Sequence, residues 1–333
     1  MNFSQIRGHQ KVLKLLYRIK ETKKLAPAYI FSGPEGIGKR LIAVAFAKNL
    51  LCVEKNADSC GNCPACIQIE HGNHPDLLLL EPEKGTITID QIRDLTRTLS
   101  WKSFSGGNKI CIVDEADQMN DHAANALLKT LEEPAPGTVI ILITARLYRL
   151  LPTIISRCQQ IKFPPLSIPE TAELIRLKKK EVTSEDAFLM AYLTNGSPGK
   201  ALSLDLDHLK RIRDEWIKQT KLLITKEKED FWVENEHSHK EKKELELKLD
   251  LLLLWLRDLL QYKIYKNMEL VLNKDKTEEI SFQGDIFRFE ELINFLFAIG
   301  NYKATLEYNI NPQLTFEALI ATLKSRGKDL HFY

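Results

Sequence analysis

The residues with types and spacings suited to chemistry fall into separate groups. The first is the octet Gly33-Pro34-Glu35-Gly36-Ile37-Gly38-Lys39-Arg40. Glycines at 33, 36 and 38 let consecutive backbone amides turn inward around an anion. Lys39 reaches toward terminal phosphates, and the helix expected to follow directs its positive end at the same charge. This is a phosphate-binding loop, with ATP or ADP as the candidate ligand. The residue after the lysine is normally Ser or Thr, whose hydroxyl holds magnesium. Arg40 stands there instead, a permanent cation with no acceptor atom to offer a metal. The loop points to a nucleotide-binding fold, and its last residue points away from hydrolysis.

The second group is Ile110-Cys111-Ile112-Val113-Asp114-Glu115-Ala116-Asp117, an apolar strand that ends in acids. In a phosphate-loop enzyme the first acid, here Asp114, holds magnesium, often through water, and the second, Glu115, polarises the attacking water. Acids at a strand end or helix cap explain most isolated pairs. A phosphate loop at the expected earlier position favours descent from such an enzyme here, which is a separate matter from present-day catalysis.

Cysteines form the third group. Cys60, Cys63 and Cys66 are spaced i, i+3, i+6, and Cys52 precedes them on the same short excursion. Four thiolates in a reducing cytoplasm suit a tetrahedral structural Zn2+ better than disulfides, and a filled shell leaves no position for a reacting water. Reduced thiols on a loop are the plain alternative. His71 and His74 are near enough to be considered as further ligands, although four thiolates already satisfy the metal. Cys111 and Cys158 lack ligand spacing, and His237 and His239 read as solvated side chains.

The elements that must position these groups can be read from hydrophobic patterning. The chain has 333 residues, 44% of them hydrophobic, enough for two or three cores. Short apolar runs at residues 28–31, 76–80, 109–113, 139–143 and 160–163 predict strands buried on both faces of a parallel sheet. Helical patterns lie between them, such as residues 123–133, where Ala124, Leu127, Leu128 and Leu131 share a face and Pro134 ends the element. Pro164, Pro165 and Pro169 then punctuate the chain, and a small helical stretch runs to about residue 206. Everything after that reads as helix. The charged residues 226–248 predict a solvated helix face or an exposed connection leading into the apolar helix 249–260. A net charge of +2 does not suit gripping nucleic acid by bulk charge. Neither a secretory leader nor a bilayer span is expected, so the expected location is cytoplasmic, with no membrane partner.

A further motif, Ser156-Arg157-Cys158, makes a resemblance specific. Together with the octet, the tetrad Asp114-Glu115-Ala116-Asp117 and Leu127-Leu128-Lys129-Thr130-Leu131-Glu132-Glu133-Pro134, it resembles the AAA+ clamp-loader ATPases of bacterial DNA polymerase III. The likeness covers most of residues 1–206 and extends weakly to Asn309-Ile310-Asn311-Pro312-Gln313-Leu314. It implies an α/β AAA+ domain at residues 1–165 with a parallel sheet and the zinc module at 52–66. A small helical lid domain at 166–208 and an all-helical collar at 209–333 would follow. It also implies that Arg157 is an arginine finger acting on a neighbouring subunit's nucleotide, and that Thr144 matches the polar sensor position.

Departures from the family's motor subunit select among its members. Arg40 replaces the magnesium hydroxyl, and Gly199 aligns with the motor's second-sensor arginine, with Lys200 beside it. No long extension is expected after the third domain. The resemblance therefore implies a subunit with absent or weak ATPase that donates Arg157 during loading of the sliding clamp on primer-template DNA. Its partners would be motor and delta-like subunits in a hetero-pentameric ring, with residues 251–260 and Trp255 as one interface or as core within their own domain. A self-sufficient motor ATPase and a DNA-binding or interaction scaffold are the alternatives.

Overall fold

Strands with no polar alternation cannot turn a face to water, and residues 28–32, 109–113 and 138–144 are buried at every position in the computed structural model. The structure describes residues 2–22, 24–54, 58–224, 242–306 and 312–325. Most of the charged stretch 226–248, with His237 and His239, and the segment Asn309-Ile310-Asn311 lie outside the described residues. In chain order the strands are β1 Ala28–Ser32, β2 Leu77–Leu80, β3 Lys109–Val113, β4 Thr138–Thr144 and β5 Gln159–Lys162. The helices are α1 Gln10–Glu21, α2 Lys39–Leu51, α3 Pro64–Glu70, α4 Ile89–Ser100, α5 Asp121–Glu132, α6 Pro152–Ile155, α7 Ile168–Lys178, α8 Ser184–Leu193, α9 Pro198–Ser203, α10 Leu206–Leu222, α11 Lys242–Tyr265, α12 Thr277–Ile286, α13 Phe289–Leu306 and α14 Pro312–Lys324. They fall into two compact units, Met1–Lys178 with Thr194–Leu202, and Lys179–Leu193 with Ser203–Tyr333.

In the first unit the five strands form one parallel sheet in the order β2-β3-β4-β1-β5. The two-residue period of a strand divides its side chains between two cores. Tyr29, Phe31, Ile110, Ile112, Ile141 and Ile143 pack with Leu13 and Leu16 of α1 and Ile42 and Phe46 of α2. Ala28, Ile30, Cys111, Val113, Ile140 and Leu142 pack with Ile92 and Leu95 of α4 and Leu127 and Leu131 of α5. Each fully buried large side chain contributes about 1.5–3 kcal/mol of hydrophobic stabilisation. Helices on both faces are the doubly wound arrangement, and parallel strands bring their carboxyl ends to one edge. Ligands bind at that edge in such sheets.

The second unit is helical. Trp216, Trp255, Leu259, Phe287, Phe295 and Ile299 form its interior, none more than 1% exposed. A buried polar knot joins three helices: the Trp255 indole donates to Thr220 Oγ1 at 3.1 Å and Gln283 Oε1 at 3.2 Å, and Gln283 Nε2 donates to the Ile217 carbonyl at 2.9 Å. Asp258, fully buried, accepts from the amides of Leu272 and Asn273 and from the Asn273 side chain. Leu251, Leu252, Trp255, Leu256 and Leu259 are at most 1% exposed, so of the two readings of residues 251–260 the structure supports core. Leu253, Leu254, Arg257 and Leu260 of the same stretch are half-buried. Among the described residues no helix is long and apolar enough to cross a membrane.

Trp255→Ala should therefore destabilise the isolated chain by about 3–5 kcal/mol, since it leaves a cavity and removes two buried hydrogen bonds. Urea unfolding followed by circular dichroism measures this. An unchanged midpoint would mean that Trp255 is not core.

Candidate functional site: an altered phosphate loop and a four-cysteine module

Four neighbouring strands end at the site. β1 runs into Gly33, β2 into Glu81, β3 into Asp114, and β4 closes on Thr144. The Gly33 amide donates to the Thr144 carbonyl at 3.2 Å, tying the loop's start to the sheet. Gly38 caps α2, so Lys39 and Arg40 are its first residues.

The loop's carbonyls are taken up by the protein. Lys39 Nζ donates to the Gly33 and Pro34 carbonyls at 2.7 and 2.6 Å. Ser197 Oγ donates to the Glu35 carbonyl at 2.7 Å and the Gly199 amide to the Gly36 carbonyl at 2.8 Å. His9 Nε2 donates to the Ile37 carbonyl at 2.8 Å. Gly36 has a φ of +75°, and a Cβ there would lie 2.5 Å from Ser197 Oγ. A Cβ on Gly199 would lie 2.7 Å from the Gly36 carbonyl oxygen, so no side chain of any kind fits where the backbones meet. Lys200 instead lies 3.4 Å from Glu35. Burial holds the Lys39 amine below the ordinary lysine range, opposed by the charges of Asp114, Glu35 and Asp117.

Arg40 turns its guanidinium to the acids. It forms an ion pair with Glu81, and its Nη1 lies 3.4 Å from Asp114 Oδ2. A cation of the chain thus meets the carboxylate that the sequence pattern reads as a magnesium holder. Glu115 adopts a left-handed backbone, φ 47°, at the turn after β3. Although the residue is exposed, its carboxyl is pushed above the usual range by partial desolvation first, then by the charges of Asp114, Glu35, Asp117 and Glu81. Thr144, fully buried, donates to Asp117 Oδ1 at 2.8 Å and accepts from the Arg146 amide at 2.9 Å. Arg157 belongs to a different cluster. It follows α6, pairs with Glu132 at the end of α5 at 2.6 Å, and donates to the Thr153 carbonyl at 2.9 Å.

Sequence reasoning missed Glu81, Ser197 and His9. Glu81 carried a usable signal, an acid directly after an apolar strand. The contacts of Ser197 and His9 span 162 and 28 residues and leave no local trace.

The sulfurs of Cys52, Cys60, Cys63 and Cys66 all lie within 4.8 Å of one another. The Cys52–Cys63 and Cys60–Cys66 pairs are 3.9 and 4.0 Å apart. A tetrahedron with metal–sulfur bonds of about 2.3 Å has sulfurs about 3.8 Å apart. The Cys60 amide donates to Cys52 Sγ and the Cys63 amide to Cys60 Sγ, which orients the thiolates. Burial raises the Cys63 thiol, but backbone hydrogen bonds from Cys66 and Val53 outweigh it and bring the value to about 6. The donor set fits a metal ion. His74 is no part of it, because its Nδ1 accepts from the Asp76 amide at 3.1 Å.

A five-stranded parallel sheet carrying a phosphate loop, acids at the next strand ends and a trailing helical region defines an AAA+ type of chain. The family model "DNA polymerase III, delta subunit" matches residues 8–167, and that for the "C terminal" of the delta subunit matches residues 208–325. The delta-prime subunit of DNA polymerase III from Bacillus subtilis (strain 168) is 36% identical over 94% of this chain and 95% of its own length. The Escherichia coli (strain K12) delta-prime subunit is 39% identical over 53% of this chain and 54% of its own length. The tau subunit of Bacillus subtilis is 28% identical over 96% of this chain and 61% of its own length. Among solved structures, a gamma-subunit-related protein of Thermotoga maritima superposes with a TM-score of 0.43 at 21% identity, covering 94% of this chain and 99% of that one, too loosely to add to the assignment. On the match to the Bacillus subtilis delta-prime subunit, the chain belongs to the delta-prime subunit family of bacterial DNA polymerase III.

The raised Glu115 carboxyl gives a pH dependence. The folded state holds that proton more tightly than the unfolded chain does. The resulting penalty is absent below the ordinary value of 4.5 and grows as pH rises from there through the raised folded value. Glu115→Gln should therefore raise the thermal midpoint by about 1 °C at neutral pH and leave it unchanged near pH 4, a small effect because the group is exposed to solvent. A lower midpoint at neutral pH would show that Glu115 is held by an attractive partner instead.

Proposed function

We propose that this chain is a loader subunit that performs no ATP hydrolysis of its own and offers Arg157 to the nucleotide of an adjacent motor subunit. The observation that carries the reading is the pairing of Arg40 with Asp114 and Glu81, which supplies from within the chain the charge that magnesium supplies in a working site. Lys39, held by the carbonyls of Gly33 and Pro34, supports the same reading. Gly33, Gly36, Gly38, Lys39 and Arg40 are the residues that would hold ATP or ADP as a static ligand. Asp114 and Glu115 are retained without a catalytic duty, and Thr144 acts as a sensor-like strut through Asp117. The self-sufficient motor reading requires a hydroxyl where Arg40 stands.

Arg157 is suited to acting in trans. Its side chain is about one-third exposed, and Glu132 with the Thr153 carbonyl orients it while leaving donors free to point outward. A rigid, permanently charged fork stabilises charge developing on a transferred phosphoryl group. By membership of its family, the chain works among motor and delta-like subunits in a five-membered ring that opens the sliding clamp and seats it on primer-template DNA. The domain division at residues 1–165, 166–208 and 209–333 into AAA+ body, lid and collar belongs to the same proposal. Cys52, Cys60, Cys63 and Cys66 hold a structural Zn2+, whose filled shell supports the fold and no chemistry.

In a reconstituted loader, Arg157→Ala should reduce hydrolysis at the adjacent motor site by about 100-fold or more. Arg157→Lys should not restore it, because a point charge does not reproduce the fork. Glu115→Gln in this subunit should leave loader turnover within about twofold, as expected of an acid that no longer activates water. Unimpaired ATPase and clamp loading with Arg157→Ala would contradict the donor role. Turnover by the purified chain that disappears with Glu115→Gln would favour the motor reading.

A further inference from the structure

We propose that the four-cysteine module is a metal-dependent clasp for the N-terminal segment and, through that segment, a support for the phosphate loop. The inference rests on the metal reading of the module given above. Its basis is the excursion between Cys52 and Cys60, whose last residues grip the start of the chain. Asp58 accepts from the Phe3 amide at 3.2 Å, the Ser4 amide at 2.9 Å and its own neighbour Ser59 at 2.7 Å. Asn49, in the last turn of α2, also donates to Asp58, at 3.3 Å. The Ser59 carbonyl accepts from Asn2 Nδ2 at 2.8 Å. Asn2 Oδ1 in turn accepts from Lys48 Nζ at 3.0 Å, and the same buried ammonium pairs with Glu70 at the end of α3 at 2.8 Å. The first residues are therefore held by the end of α2, the end of α3 and the connection between them, the segments that the cysteines draw together.

The segment continues to the phosphate loop. Phe3 is 2% exposed, with ring centroids 4.9 Å from Tyr17 and 6.4 Å from Phe46. Ile6 is buried after it, and His9 follows with its ring against Phe163 and its Nε2 on the Ile37 carbonyl. Residues 2–9 thus run from the module to the loop in one anchored stretch.

The clasp depends on the metal for a physical reason. The described residues 53–54 and 58–59 lie in no helix or strand, so ligation of the adjoining Cys52 and Cys60 is what holds Asp58 and Ser59 beside the first residues. Coupling of this kind is reciprocal: docking of residues 2–4 also tightens the grip on the ion.

Hydrogen exchange with peptide-level mass spectrometry on the full chain tests this, comparing zinc-loaded protein with chelator-stripped protein and measuring metal content in both. Stripping should accelerate exchange of amides 3–6 by at least about tenfold and of residues 33–38 by a smaller factor, while β3 and β4 keep their protection. Zinc-saturated Asp58→Ala should show the same acceleration at residues 3–6 with one ion per chain, and should lose zinc more readily to a competing chelator. Unchanged exchange at residues 3–6 in metal-free protein overturns the clasp while leaving the metal reading intact. Equal acceleration of β3 and β4 also overturns it, because the ion would then be holding up the whole unit. Unchanged exchange at residues 33–38 overturns the link to the phosphate loop. A purified chain with no bound metal overturns the metal reading and the clasp with it.

Discussion

A guanidinium lies against the acids where a phosphate-loop site brings its divalent cation, and the character of the sheet edge follows from that one charge. Glu81 and Asp114 project from the carboxyl ends of adjacent strands, where two unaccompanied carboxylates would repel each other. In a working nucleotidase the compensating charge arrives with the ligand and leaves with it. Here it is covalently part of α2. Arg40 is half exposed, so each ion pair contributes only about 0.2–1 kcal/mol to stability. Its weight lies in occupancy, since Asp114 already has a cationic partner and that partner has no acceptor atom with which to ligate a metal ion.

Backbone packing points the same way. The phosphate loop has Lys39 inside, Ser197 and Gly199 on one flank and His9 on another, each donating to a different carbonyl or pair of carbonyls. The approach of Gly199 to Gly36 is close enough to exclude a β-carbon, so no side chain can replace the glycine where the two backbones meet. A loop held from several sides by rigid donors has little freedom to change with a bound phosphate. That suits a subunit whose proposed part is to present a fixed Arg157, itself oriented by Glu132, to chemistry performed elsewhere.

Much of this was legible in the sequence, for identifiable reasons. The strands were visible because β1, β3 and β4 are apolar on both faces, a local signal that needs no partner to read. The octet, Asp114, Glu115 and the cysteines were visible because their chemistry requires fixed short spacings. What escaped notice depends on long-range contact. Glu81 meets Arg40 only because β2 lies beside β3, and Asp58 meets Phe3 and Ser4 across more than fifty residues. The apolar residues 251–260 looked equally like an interface and a core. The partners of Trp255, at Thr220 and Gln283 on neighbouring helices, place that side chain in the core.

If the chain's own arginine stands in for magnesium, nucleotide binding needs no metal. Calorimetric titration of the purified chain with ATP and with ADP, each in magnesium and in EDTA, tests it most directly. Identical isotherms in magnesium and EDTA, without nucleotide turnover, are the predicted result. Binding that requires magnesium and is followed by release of phosphate would contradict it.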